Sequence, residues 1–205
     1  MATMATAQRL WTYADLEDIP DDGNRYDILG GMLVMRNVPS PEHGEALTEL
    51  LIFFGWATEA GYGRMYTSST AVALDYARHG EDSVDVPHPD IFFMRQDRLD
   101  LKGKRGWEGV PDLIVEILSP GTRQEHRAGG RWWDAYDRNG VPHYWQVDLV
   151  RRQILQYPLI GDPHVGGHYD EPVTLREGDN LGSPLFPTIT MPVSRVFRYV
   201  RGEGS

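Results

Sequence analysis

The sequence has no cysteine among its 205 residues. Disulfides and thiolate metal sites are therefore excluded, and a cytoplasmic setting is the simplest expectation. No apolar stretch approaches the roughly 20 residues that cross a bilayer, and the N-terminus shows no apolar signal-peptide core, so no membrane partner is expected. Positive charge is scarce. Twenty Lys and Arg stand against 30 Asp and Glu, a formal net charge of −10, and the only lysines are Lys102 and Lys104. Affinity for phosphate backbones comes mostly from Lys and Arg, so tight non-specific DNA binding is disfavoured, although a locally basic cleft stays open. The histidines show no HExxH spacing, which argues against zinc. Internal repeats and low-complexity tracts are absent.

What is present suits a folded chain. The hydrophobic share, 40%, is near the ~45% typical of globular domains. The length fits one domain, 1–205, with its core at about 26–157. Thr12 to Asp15 has the form of a capping box and starts a short helix. Arg25 to Leu29 and Met32 to Arg36, separated by Gly30-Gly31, read as a hairpin. Ser40-Pro41 opens a helix whose Leu47, Leu50, Leu51 and Phe54 share a face and which Gly61 closes. Strands are expected near 66–75, 91–94 and 112–118. A helix from about Gln124 to Asn139 should end at Gly140, and His143–Asp148 with Gln153–Tyr157 should form a second hairpin. Residues 160–187 read as an irregular excursion with one or two edge strands, and Met191 to Tyr199 as a short closing helix. Such alternation predicts an α/β fold with helices covering a central mixed sheet.

Two carboxylates stand out. Asp90 ends a Pro-Asp dipeptide before the apolar run Ile91–Met94, and Glu116 lies inside the run Leu113–Leu118. An ionised carboxylate in a buried strand is costly unless paired or bound to a metal. Two from neighbouring strands could hold one hard divalent cation, the minimum for metal-assisted phosphodiester hydrolysis. Blander roles exist: Glu116 could pair with Arg131 or Arg127, and Asp90 could cap a turn. Asp112 points to the same face as Glu116 but about 13 Å away at ~3.3 Å per residue, so it reads as a strand-start residue. His43, one turn into its helix, could approach the metal site but reads mainly as a helix-start residue. The acidic run from Glu81 to Asp85 reads as a solvated loop, and Lys102 and Lys104 as mobile surface. Trp132-Trp133 reads as a partly exposed pair suited to a homodimer contact.

The order "YDILGG", "PSPEH", "PD", "PDLIVEILSPGT" and "YDRNGVPHYWQVD" resembles the Uma-two family, within the PD-(D/E)XK restriction-endonuclease-like superfamily. The resemblance runs from about Tyr26 to Tyr157. It implies a restriction-endonuclease-like core with an added hairpin, and a Mg²⁺-dependent DNA endonuclease (Mn²⁺ as a substitute) whose ligands are Asp90, Glu116 and the Ile117 carbonyl. The superfamily's usual lysine, two residues after the glutamate, is Leu118 here. The Uma-two lysine lies on the following helix, where forward counting reaches Gly130 and backward counting Trp132. Arg131, between them, is the one basic candidate for the catalytic cation, and His126 stands where the family has an aspartate. The alternative is a catalytically impaired nuclease fold serving as a homodimeric binding or scaffold module.

Overall fold

The computed structural model describes residues 9–119, 121, 123–162 and 167–200. His164 and two positions of the "SPGT" turn, Pro120 and Thr122, lie outside the described residues. In chain order the elements are β1 (Arg25–Leu29), β2 (Met32–Arg36), α1 (Pro41–Glu59), β3 (Gly63–Thr67), β4 (Ala71–Val72) and α2 (Tyr76–His79). There follow β5 (Ile91–Arg95), β6 (Gly106–Trp107), β7 (Leu113–Leu118), α3 (Arg131–Arg138), β8 (His143–Asp148) and β9 (Gln153–Ile160). The described chain closes with β10 (His168–Tyr169), β11 (Val173–Arg176), β12 (Asn180–Leu181), β13 (Met191–Pro192) and α4 (Val193–Val196).

The central sheet has the order β10-β9-β8-β7-β5-β3, with β11 also pairing β9. Only β7–β8 is parallel within it, so the sheet is mixed. Because side chains alternate across a strand, the apolar runs of β5 and β7 feed two cores. Phe93, Val115 and Trp145 pack under α1 and α4 with Phe53, Phe54 and Phe186. Phe92, Ile114 and Tyr144 face the other way, against Trp132, Ala135 and Tyr136 of α3 and Leu29 and Val34 of the β1–β2 hairpin. Ser40 caps α1 as expected, its hydroxyl accepting from the His43 N–H at 3.2 Å. Among the described residues no helix is long and apolar enough to cross a membrane.

Several expected elements differ. The strand expected at 66–75 is two: β3 joins the central sheet, while β4 pairs with β6 in a separate parallel ribbon. The helix expected over 124–139 splits into a 3₁₀ turn, Arg123–His126, and α3. Gly129 at φ +83° and the extended Gly130 separate them. The closing helix shortens to α4, because Met191–Pro192 pairs with β12 instead. Nor is the 81–85 run wholly solvated. Asp85 is buried, and it accepts from the Gly30 N–H at 2.9 Å and from Arg138 Nε at 2.8 Å. The Trp pair is divided as adjacent helical positions are: Trp132 is buried, while Trp133 is partly accessible and packs on Tyr157 and Tyr169.

The break before α3 sets which of its faces meets the sheet. A Cβ on Gly130 would lie 2.5 Å from the Glu125 carbonyl carbon and oxygen, a backbone clash that side-chain movement cannot relieve. Gly130→Ala should therefore cost about 1–3 kcal/mol, the usual range for overpacking, read as a lower urea midpoint at unchanged slope. A variant as stable as the parent would show that the 3₁₀ turn shifts freely and does not fix α3.

Candidate active site

β5 and β7 run antiparallel, with Ile91 opposite Val115 and Phe92 opposite Ile114. Extended by one residue, this register sets Asp90 opposite Glu116 on one face of the sheet. The two residues are only 6% and 1% exposed. Adjacent buried carboxylates need counter-charge, and Arg36 at the end of β2 supplies it. Its Nη2 donates to Asp90 Oδ1 at 2.9 Å and to Glu116 Oε2 at 3.2 Å. Its Nη1 reaches Asp27 Oδ2 at 3.5 Å and donates to the His88 carbonyl. One guanidinium thus joins three buried carboxylates, each from a different strand or strand edge.

The remaining oxygens are also taken. Asp90 Oδ2 accepts from the Ile117 N–H at 2.8 Å and lies 3.0 Å from His43 Nε2. An ionised carboxylate only accepts, so His43 carries its hydrogen on Nε2. Within a strand a residue's N–H and C=O point to the same edge, which turns the Ile117 carbonyl toward Asp90 as well. Glu116 Oε1 accepts from the Tyr136 hydroxyl at 2.6 Å. Asp27 Oδ1 accepts from the His88 N–H at 2.8 Å, and Oδ2 from Trp132 Nε1 at 2.7 Å.

These surroundings split the carboxyl groups. Burial raises Asp90, but the His43 hydrogen bond, the Arg36 charge and the Ile117 N–H outweigh it and hold the group below the usual range. Asp27 is likewise held low, burial being outweighed by Arg36 and His88. Glu116 goes the other way: burial pushes it up to about 8, and Asp90 adds to this against the pull of Arg36 and Tyr136. Pairs pushed apart in this manner concentrate at functional sites. A cavity of about 160 Å³ opens above them, lined by Arg25, Arg36, His43, Asp90, Glu116, Ile117, His126 and Trp132 among others.

The structure thus brings Asp90, Glu116 and Ile117 together, but not Arg131. That side chain is 50% exposed and forks Glu125, with Nε and Nη2 each 3.1 Å from a carboxylate oxygen. The reason is helical phase: the inward stripe of α3 is Trp132, Ala135 and Tyr136, at i, i+3 and i+4, and Arg131 lies just off it. Glu116 therefore pairs with Arg36 rather than with Arg131 or Arg127. Asp112 sits at the far end of β7, accepting from the Arg95 N–H and Arg98, each at 2.8 Å. His126 is buried, stacked on Trp132 and 2.7 Å from the Tyr144 hydroxyl. Sequence reasoning passed over Arg36, Asp27 and Tyr136 and undervalued His43. Asp27 did carry a signal, being a carboxylate within the apolar "YDIL" just as Glu116 is within its own run.

Among the described residues no group of three or more His, Cys, Asp or Glu stands ready to hold a metal. The donors that do converge, two carboxylates and one carbonyl, are hard oxygens of the kind Mg²⁺ and Mn²⁺ take, so donor chemistry fits such an ion. A central mixed sheet flanked by helices is the restriction-endonuclease-like architecture that the sequence resemblance implies. The family model described as "Uma2: Putative restriction endonuclease" matches residues 12–194. The chain belongs to this Uma2 family. Its fold is similar to that in the "Crystal structure of a putative nuclease belonging to DUF820 from Anabaena variabilis ATCC 29413", with a TM-score of 0.69 at 15% identity, covering 93% of this chain and 99% of that one. No curated protein is significantly similar to the chain.

Burial pushes His126 down to about 4, whereas an unfolded histidine titrates near 6.5. Between these values the unfolded chain takes up a proton that the native site refuses. His126 therefore costs no stability above pH ~6.5 and progressively more as pH falls toward 4. His126→Asn should lose less stability than the parent between pH 7 and pH 4, measured by urea unfolding at each pH. Parallel curves would mean that His126 is protonated in the native protein.

Proposed function

We propose that the chain, 1–205 as one domain, is a metal-dependent DNA endonuclease of the cytoplasm, hydrolysing phosphodiester bonds at the Asp90–Glu116 site. The observation that carries this reading is the convergence of two buried carboxylates from adjacent strands on the floor of an open cavity. Asp90, Glu116 and the Ile117 carbonyl would hold Mg²⁺, with Mn²⁺ as a substitute. Such an ion supplies Lewis-acid polarisation of the phosphoryl group and a more acidic water. The protein's own groups position the donors. Tyr136 fixes one oxygen of Glu116, while His43 and the Ile117 N–H fix one of Asp90. The remaining oxygens are then aimed at the gap between them.

Arg25 lines the cavity beside Arg36 and reaches the Ser68 hydroxyl at 3.4 Å. An adjoining pocket shares both arginines and adds His88 and Arg105. Arg36, His88 and Arg105 are already paired with carboxylates. Arg25, bonded to a hydroxyl, is therefore the cation of this lining best placed to contact a phosphate, a contact that positions a nucleic acid without reading its sequence. Lys102 and Lys104 are exposed in the loop between β5 and β7 and supply no cation inside the cavity.

A second reading, a homodimeric binding module without catalysis, is favoured by Arg36, which already bonds both carboxylates. Supercoiled-plasmid cleavage with Mg²⁺ or Mn²⁺ separates the two. On the endonuclease reading, removing the partner of a ligand costs about 10–100-fold, the loss expected of Tyr136→Phe. Asp90→Asn and Glu116→Gln should lose more, and Arg131→Ala should match the parent. A folded parent that cleaves with neither metal and forms a dimer in light scattering would sink the endonuclease reading in favour of the second.

A further inference from the structure

Arg36 stands where a shared cation would stand. Its Nη2 alone hydrogen-bonds both Asp90 and Glu116. It is not a surface arginine that happens to fold inward. The side chain is 15% exposed, and Nη1 is anchored at its other side on Asp27 and the His88 carbonyl. Resting on the endonuclease reading, we propose that Arg36 is a built-in counter-cation that fills the gap between Asp90 and Glu116, so that a divalent ion enters only by displacing it.

Three physical arguments support this. Hard cations sit about 2.0–2.6 Å from carboxylate oxygens, so an ion shared by Asp90 and Glu116 would overlap the space that Nη2 occupies. A guanidinium keeps its charge at any physiological pH, so it cannot yield by losing a proton and must move. Room to move exists: Arg36 lines two adjoining cavities, and the second also presents Asp21 and Ser68. The guanidinium can leave the carboxylates through that opening without crossing packed core. Arg36 is thus a positioning residue that orders the carboxylates before metal arrives and sets how tightly metal binds.

The test is calorimetric titration of the full chain with Mn²⁺ alone, without DNA. Arg36→Met should bind Mn²⁺ more tightly than the parent, by a factor within the ~5–150-fold range usual for coupled sites. Adding Asp90→Asn to Arg36→Met should remove that gain. Arg36→Gln, which retains an N–H for the His88 carbonyl, should show the same direction and covers the case in which the methionine variant does not fold. A folded Arg36→Met or Arg36→Gln that binds Mn²⁺ no more tightly than the parent overturns the proposal. So does a parent crystal soaked in Mn²⁺ that shows an anomalous peak between Asp90 and Glu116 with Arg36 still bonded to both. Plasmid cleavage in parallel keeps the two ideas apart. A cleaving parent with no Mn²⁺ gain in the variants overturns the counter-cation alone. A Mn²⁺ gain without cleavage by any variant overturns the endonuclease reading and leaves the counter-cation standing.

Discussion

Three buried carboxylates, Asp27, Asp90 and Glu116, share one guanidinium, and the surrounding structure depends on that arrangement. Uncompensated charge in a protein interior costs several kcal/mol per ion. Asp27 and Asp90 stay ionised through Arg36 and their hydrogen-bond donors, while burial beside Asp90 pushes Glu116 up to about 8. The ion pairs also join elements distant in sequence. Arg36 ties the β1–β2 hairpin to β5 and β7. Asp27 then ties the same hairpin to α3 through Trp132 and to the segment before β5 through His88. A network with every member satisfied is rigid, and one with a member missing is worse than an apolar core. This chemistry joins the hairpin to the site, beside the backbone pairing of Ile28 with Val86 and the apolar contacts of Ile28, Leu29 and Val34.

The same network explains how the site accommodates its departures from the family pattern. Where the resemblance implies a helical lysine between Gly130 and Trp132 and an aspartate at His126, this chain turns Arg131 out to Glu125 and buries Trp132 and His126 against one another. Neither is charged there: tryptophan cannot be, and burial holds His126 down to about 4. One cation and one anion are thus absent together from the helix side, and the positive charge beside Asp90 and Glu116 comes instead from β2. The substitution is coherent as electrostatics. It changes the geometry from a cation reaching in from a helix to one lying directly between the carboxylates.

Much of the fold was legible because strand and helix periodicity are local properties. The apolar runs that became β5, β7 and β8 announce buried strands, and Ser40-Pro41 announces the start of α1 through backbone chemistry alone. The misplaced boundaries share a cause. Gly129-Gly130 could have sat inside a continuous helix on pattern alone, but packing of His126 against Trp132 and Tyr144 required a break. Met191–Pro192 could have extended a helix, but an available partner at β12 made it a strand. Pairing partners are set by tertiary contact, which local propensity cannot see.

The sequence by itself determined that Asp90 and Glu116 would be costly to bury. It did so because a carboxylate flanked by Ile, Val and Phe has no local means of staying hydrated. It determined the α/β class as well, through alternating periods, and the lack of any cysteine-based chemistry. Only the tertiary structure decided which cation answers those carboxylates. Arg131 lies 15 residues from Glu116 in sequence, and Arg36 lies 80 away. Yet a rotation of one residue around α3 sends Arg131 to solvent, while the hairpin carries Arg36 into the gap. Charge pairing is decided by distances of a few ångströms in space, and separation along the chain does not encode them.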